Sequence, residues 1–399
     1  MVVGIRSVSS GWCWLVAFGL AAAGGATEPE AVAPPGGTIG VPPAFVAFDE
    51  GIGRDVAATL GGSAKHWRQI APAVHHLALQ HAQPLEALAA DQRLAALVGF
   101  ARLIDAKRKA SGDRPVLAPG RTVIGLLDPA QGLGPREVLA IADAYDCDST
   151  IYKKESADQT LESVAREFLA ATTAALAAGK PTTLAVLGHG LPTEIQSYHI
   201  RFERLAQALL DGAAGAEQDG STAQAAAAPQ GGTAASAPGD RPVDLGSLVV
   251  ICDDCFSADF HINLLDELDR EARARGLRLE SLPVCVAGTN RNCYGHADVG
   301  ETFVPHFWRD VIELYYIRKP LPKAVTLRDF FEKVDNMMYG YGRVPRVDDG
   351  RVAGYTLVDP ALVQDPVVFV PLDEADLATL RGLLGLPADA PLPRWLDIG

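Results

Sequence analysis

The sequence predicts an α/β fold built on a mainly parallel sheet of about six strands. Residues 183–187 and 248–251 are uninterrupted apolar runs, which are typical of strands buried on both faces of a sheet. Segments with apolar residues at helical spacing alternate with such runs, and residues 156–178 are the clearest of them. Repeated strand–helix units favour parallel pairing, so we expect the carboxyl ends of the strands to share one edge. In open α/β sheets that edge is where ligands bind.

The other elements follow from the same two patterns. Further strands are predicted at 122–127, 150–152, 282–287 and 367–370. Further helices are predicted at 135–144, around 202–209, and at 259–275, 303–316, 326–338 and 374–384. Neither the glycine fingerprint of dinucleotide-binding folds nor a phosphate-binding loop occurs in the sequence, so the motifs give no support for nucleotide chemistry.

Composition divides the chain into four segments. Residues 1–26 have the charged start (Arg6), the apolar centre and the small-residue end of a secretory signal. Residues 27–53 are predicted to be a flexible linker, 54–118 a helical N-terminal region of undetermined role, and 119–399 the main domain. Within that domain, residues 211–240 contain no Val, Ile, Leu or aromatic residue, which predicts a disordered insertion.

Charge and cysteine content narrow the possible functions. The net charge is −14, and loss of Arg6 with the signal would make it −15, so nucleic acid is not an expected partner. Outside the signal no apolar segment is long enough to cross a membrane, and we expect an exported protein, periplasmic or extracellular. Removal of Cys13 would leave five cysteines, and an odd number in an oxidising compartment indicates a free, reactive thiol.

Two chemically useful residues follow the two apolar runs. His189 lies between glycines after the first run, and Cys255 follows the second. If both runs are neighbouring parallel strands, a base and a thiol meet at one sheet edge, as nucleophilic cysteine chemistry requires. The acids Asp253 and Asp254 precede the thiol, and a negative charge there would raise its pKa, which counts against this chemistry.

These motifs resemble those of the caspase-like cysteine peptidases. Leu184-Ala185-Val186-Leu187-Gly188-His189-Gly190 is similar to the apolar block that ends in His-Gly in that clan. Val249-Val250-Ile251-Cys252-Asp253-Asp254-Cys255-Phe256-Ser257 is similar to the block that ends in the nucleophile, and its Asp-x-Cys-x-Ser form is closest to metacaspases and clostripain-like enzymes. The resemblance covers about 120–375 in strand order and implies a caspase-like α/β/α sandwich.

The resemblance also implies roles for individual residues. His189 would polarise the thiol of Cys255, and the backbone N–H groups of Gly190 and Cys255 would form the oxyanion hole. The family's matching Asp binds a basic side chain, so Asp253 would select Arg or Lys before the cleaved bond of a polypeptide substrate, with Asp128 as a second acid. Thr289 and Asn290 fall where the clan places the other pocket wall, and no cofactor is implied.

Three alternatives remain open on the sequence alone. Cys252 and Cys255 could belong to a structural zinc site with Cys285, Cys293 and His296, although their spacing is irregular. The Cys252–Cys255 pair could also be a redox CxxC motif, although two acids separate the cysteines. A caspase-like domain without catalytic activity, used for binding, is the third alternative.

Overall fold

The central sheet contains seven strands. The computed structural model describes residues 81–128, 142–225, 241–289, 323–331, 343–348, 351–357 and 367–398, with isolated positions between 56 and 80; for 216–225 and between 343 and 357 it describes the backbone alone. From one edge to the other, the sheet consists of β16 (Trp395–Asp397), β15 (Val367–Pro371), β11 (Val284–Ala287), β9 (Val249–Asp253), β4 (Thr182–Leu187), β2 (Thr122–Leu127) and β3 (Asp148–Tyr152).

Most strand pairs in this sheet are parallel. β11, β9, β4, β2 and β3 pair parallel in that order, whereas β15 and β16 add antiparallel pairs at one edge. The predicted α/β class and mostly parallel sheet are therefore confirmed, with seven strands in place of about six. The additional strand is β16, which has three residues and is too short to show a periodic pattern.

Three helices pack together against one face of the sheet. The helices of the described residues include α1 (Ala82–Glu86), α2 (Ala90–Gly112), α3 (Leu161–Ala177), α4 (Phe202–Ala225), α5 (Ser257–Ala274) and α6 (Glu374–Leu383). Phe168 of α3, Leu209 of α4 and Leu264 of α5 belong to one buried cluster. The same cluster holds alternate residues of the strands, including Val186 and Cys252, because successive strand side chains point to opposite faces. None of the helices in the described residues combines the length and apolarity needed to cross a bilayer.

Local sequence fixes where two of these helices begin. The Thr160 hydroxyl accepts a hydrogen bond from the Ser163 backbone N–H at 3.0 Å, which caps α3. The Asp373 carboxylate accepts from the Asp376 N–H at 2.9 Å and caps α6 in the same way. Each cap satisfies a backbone donor that the first helical turn cannot satisfy itself.

The region preceding the main domain packs against elements from the far end of the chain. Gly99 of α2 lies against Leu383 of α6, and the Arg108 guanidinium lies 4.9 Å from the centre of the Phe331 ring. The region is not helical throughout, because β1 (Pro115–Leu117) pairs antiparallel with β12 (Val325–Thr326). The described residues before position 118 therefore contact segments that follow it in the chain, and the domain boundary at residue 118 stays a prediction.

Several short strands pair outside the central sheet. A three-stranded sheet is formed by β5 (Gly190–Leu191), β6 (Glu194–Ile195) and β7 (Ile200–Arg201), with a 3-10 helix at Gln196–Tyr198 between the last two. β8 (Arg241–Asp244) pairs parallel with β10 (Leu277–Ser281), and β13 (Arg343–Asp348) pairs antiparallel with β14 (Arg351–Leu357). The β5–β7 sheet follows His189 directly, so it holds the loop that carries this side chain.

The prediction of a disordered insertion at 211–240 is wrong for its first part. Helix α4 continues through Ala225, Ala213 is buried in the core, and Asp211 forms an ion pair with Arg275 at 2.5 Å. A methyl group on Gly212 would lie 2.7 Å from the carbonyl oxygen of Thr173, so α4 approaches α3 through small residues. Ala and Gly carry little hydrophobic signal, and their role in close helix packing is therefore invisible to a hydrophobic pattern.

Several predictions lie outside the described residues. These are the signal at 1–26, the linker at 27–53, the helix at 303–316, the part of the insertion at 226–240, and Asn290. Of the helices predicted at 135–144 and 326–338, the structure describes the helical residues 142–144 and 327–331.

We predict that the two halves of the alanine-rich segment differ in their contribution to stability. Replacing 226–240 by a short Gly-Ser turn should change the melting temperature by only a few degrees, because it removes no large apolar side chain and loop closure depends weakly on length. Replacing all of 211–240 should lower the melting temperature much further, since it removes the buried Ala213 and the Asp211–Arg275 ion pair. Equal melting temperatures for the two deletions would contradict the helix boundary.

Candidate active site

The sheet brings the ends of β4 and β9 together. These strands are parallel neighbours, and Leu187 pairs with Asp253 in their register. His189 and Cys255 therefore each come two residues after a matched pair, at the same edge of the sheet. His189 is exposed and Cys255 is partly exposed, so both can meet a ligand from solvent. The predicted juxtaposition of the two segments is what this register produces.

Gly190 lies in direct contact with the turn that carries Cys255. A methyl group at position 190 would lie 2.6 Å from the carbonyl oxygen of Cys255 and 2.5 Å from the carboxyl carbon of Asp254. Real Cβ atoms do not come this close to other atoms, so only glycine allows the loop after His189 to approach the turn. This contact fixes the separation between the backbones of the two segments.

A serine that sequence reasoning missed holds the His189 backbone. The Ser197 hydroxyl accepts a hydrogen bond from the His189 N–H at 2.8 Å and donates one to the Asp128 carboxylate. Asp128 follows β2, the neighbour of β4 on its other side, and is buried. Asp128 is thus linked to the His189 loop through Ser197, and its predicted part in substrate binding stays a prediction. Since Ser197 lies on the 3-10 helix, only the three-dimensional structure reveals this link.

Cys255 lies in a strained turn between β9 and α5. The next residue, Phe256, has φ +57, a left-handed conformation that is unfavourable for a side chain other than glycine. Helix α5 begins immediately afterwards at Ser257, so Cys255 stands just before a helix N-terminus. The positive end of a helix stabilises nearby negative charge, which suits a thiolate.

Thr289 holds this turn from the neighbouring strand. Its hydroxyl donates to the carbonyl of Asp254 at 3.1 Å and accepts from the Ser257 N–H at 3.0 Å, while the Thr289 N–H donates to the Ser257 hydroxyl at 3.0 Å. Thr289 is fully buried and these contacts brace the turn, while its predicted place on the other wall of the substrate pocket stays a prediction. Ser257, the last residue of the Val249–Ser257 motif, was the sequence signal that could have indicated these hydrogen bonds.

Asp253 and Asp254 occupy different environments although they are adjacent. The Asp253 carboxylate lies against Gly288, at the end of β11, and the residue is 5% exposed. Asp254 is 4% exposed, and neither of its carboxyl oxygens has a hydrogen-bond partner. Burial, with a smaller effect of the neighbouring Asp253, raises the pKa of Asp254 well above the usual carboxyl range. Burial therefore favours the uncharged form of Asp254, which weakens the objection that the sequence raised.

Cys252 and Cys255 also differ in accessibility. Cys252 is fully buried in the core cluster, and burial raises the pKa of its thiol well above the usual range. A buried thiol of this kind is unreactive, whereas Cys255 is partly exposed. Cys147, Cys252 and Cys285 are free thiols in the structure, and Cys293 lies outside the described residues. The burial of Cys252 disfavours a redox pair formed with Cys255.

A metal site finds no support in the part of the chain that the structure describes. Within it, no three His, Cys, Asp or Glu side chains cluster as metal ligands would. Cys293 and His296, which belonged to the predicted zinc alternative, lie outside that part. Cys252 and Cys285 both point into the apolar cluster, where burial raises the pKa of each thiol and so opposes the thiolate that zinc requires.

Comparisons of the chain with protein-family models, with curated proteins and with solved structures find no match.

We predict that Gly190→Ala disrupts the site. The added methyl group meets the Cys255 backbone, which cannot move aside as a flexible side chain could, so we expect a loss of about 1–3 kcal/mol in the free energy of unfolding. Chemical denaturation measures this loss. Gly382→Ala in α6 is the matched control, because it has open space around it and should be neutral or stabilising. Equal stabilities for the two variants would contradict the close contact.

Proposed function

We propose that the chain is a cysteine-type endopeptidase with a caspase-like domain, in which Cys255 is the nucleophile and His189 is the base. The observation that carries the proposal is the register of β4 and β9, which places the two segments side by side at the carboxyl edge of a parallel sheet. The contact of Gly190 with the Cys255 turn supports it independently. Nucleophilic chemistry needs a thiol and a base close together, and neighbouring strand ends can supply this arrangement.

The reaction would proceed through a thioester. His189 takes the thiol proton, and the Cys255 sulfur attacks the scissile carbonyl carbon while an electron pair moves onto the carbonyl oxygen. As the carbon–nitrogen bond breaks, the imidazolium of His189 gives its proton to the departing amine. Water, deprotonated by His189, then attacks the thioester, releasing the carboxylic acid and restoring the thiol. No cofactor is needed.

Charge development is favoured by features on both sides of Cys255. The N-terminus of α5, which directly follows the Cys255 turn, stabilises a thiolate. The backbone N–H groups of Gly190 and Cys255 are the proposed donors to the tetrahedral oxyanion. Since Gly190 has no side chain, its backbone lies close to the Cys255 turn, which brings the two proposed donors near each other.

Substrate choice would depend on Asp253. This carboxylate is buried at the same edge as Cys255, and a desolvated carboxylate favours a guanidinium, with which it makes charge-assisted hydrogen bonds. We therefore propose cleavage after Arg or Lys. We further propose that the protein acts after export, in the periplasm or outside the cell, as the N-terminal sequence indicates.

We predict that peptide hydrolysis requires Cys255 and not Cys252. With a basic peptide library as substrate, Cys255→Ala should lower kcat/KM by about a thousandfold or more, as loss of a nucleophile does in comparable enzymes. Cys252→Ala is the matched control, since it removes a buried thiol three residues away and should retain most activity at a lower melting temperature. Activity that survives in Cys255→Ala would overturn the assignment, and a wild type without activity would favour a binding domain.

We predict that Asp253 determines a preference for Arg or Lys before the cleaved bond. Fluorogenic peptides that end in Arg, Lys, Asn or Asp should show a strong preference for Arg and Lys, and Asp253→Asn should reduce kcat/KM for the Arg peptide by about a hundredfold. Asp128→Asn is the comparison variant, because its amide oxygen can still accept from Ser197. Cleavage after Asn or Asp with Arg ignored would refute the basic pocket, as would full Arg preference in Asp253→Asn.

A further inference from the structure

Asp254 has a position that the proposed mechanism does not use. Its carboxyl lies between Gly190, which carries a proposed oxyanion donor, and the turn that contains Cys255. It is 4% exposed, and both of its oxygens lack hydrogen-bond partners. A buried carboxyl without partners is costly to a fold and usually has a specific reason to be retained.

We propose that Asp254 is a positioning residue that supports the site only as the uncharged acid: it spaces the Gly190 loop from the Cys255 turn, and its ionisation inactivates the site. The effect of Asp254 on catalysis rests on the proposed function. The contact itself does not, because Asp254 is adjacent to Cys255 and touches Gly190 in the structure.

Besides burial, the described side chain that acts on the pKa of Asp254 is Asp253, which raises it further, and no described cation lowers it. The titratable groups that adjoin Asp254 are Asp253 and Cys252 of β9, Cys255 after it and His189 before β5, and the first turn and a half of α5 adds Asp259 and His261. Burial lowers the pKa of His261 to about 4, and its Nε2 lies 3.1 Å from the Val286 carbonyl, so it is neutral near pH 7 and supplies no positive charge. The arginines of α5, Arg270 and Arg273, lie toward its other end.

Ionisation would act on both catalytic functions. A negative charge beside Cys255 opposes the thiolate, and the same charge beside Gly190 opposes the oxyanion that develops there. An unsolvated charge also tends to draw in water, which would separate the Gly190 loop from the turn. The neutral acid has neither effect, so the site works while Asp254 keeps its proton.

Stability should depend on pH in a defined direction. The pKa of Asp254 is raised in the folded state, whereas the unfolded chain loses this proton near pH 4, at about the usual carboxyl value. The folded state therefore binds more protons, and the contribution of Asp254 to stability falls as pH rises from about 4 to the folded pKa. Asn has no such proton. The melting temperature of Asp254→Asn minus that of the wild type should therefore rise by about 2 °C per pH unit in this window.

The test compares Asp254→Asn with the wild type in the full chain between about pH 6 and about pH 9. We expect the ratio of wild-type to variant kcat/KM on an Arg peptide to fall about tenfold for each pH unit above the pH at which Asp254 ionises. Alkylation of Cys255 by iodoacetamide, followed by mass spectrometry, should show the same relative decline without requiring peptidase activity. Asp158→Asn, an exposed acid, is the control and should follow the wild type in both assays.

The outcomes separate this inference from the proposed function. A shifted alkylation profile with no hydrolysis in any variant would support the role of Asp254 and count against the peptidase. Hydrolysis with identical pH profiles for wild type and Asp254→Asn would overturn the role of Asp254 and leave the peptidase standing. Asp254→Ser provides a second uncharged variant if Asp254→Asn does not fold, and a wild-type-like profile in Asp254→Ser would equally overturn the inference.

Discussion

Parallel pairing of β2, β4 and β9 is the constraint on which the site depends. These strands fix Asp128, the His189 loop and the Cys255 turn at one edge, and the hydrogen bonds continue past the strands. The Asp128 N–H donates to the Leu187 carbonyl at 2.8 Å, and the Gly188 N–H donates to the Asp253 carbonyl at 3.3 Å. Slipping β9 by one residue would bury Asp253 on the wrong face and remove Cys255 from the edge. The apolar strands therefore set both stability and the relative positions of the functional groups.

The groups around the strand ends hold this arrangement from three sides. Ser197 holds the His189 backbone, Thr289 holds the Cys255 turn, and Gly190 allows the two to meet. The Thr289 and Gly190 contacts join segments that are distant in sequence, whereas the Ser197 contact is local, because its two residues are 8 positions apart. The strained φ of Phe256 fits this picture, because an unfavourable backbone conformation persists only where its surroundings determine it.

Sequence reasoning worked where a single segment carries the signal. The central strands were predictable because each is a continuous apolar run, and His189 and Cys255 were identifiable because polar residues end those runs. Packing of small residues was not predictable, since Gly212 and Ala213 contribute through close approach and little through hydrophobicity. Ser197 and the different environments of Asp253 and Asp254 depend on the folded chain, because burial and partners are properties of three-dimensional neighbours.

The central claim is that His189 activates Cys255. The most direct measurement treats the protein with a peptidyl acyloxymethyl ketone ending in Arg and locates the covalent label by mass spectrometry. The account expects one label, on Cys255, formed rapidly in wild type and in Cys252→Ala and slowed strongly in His189→Ala. Labelling of Cys252, or the same labelling rate in His189→Ala as in wild type, would contradict the account.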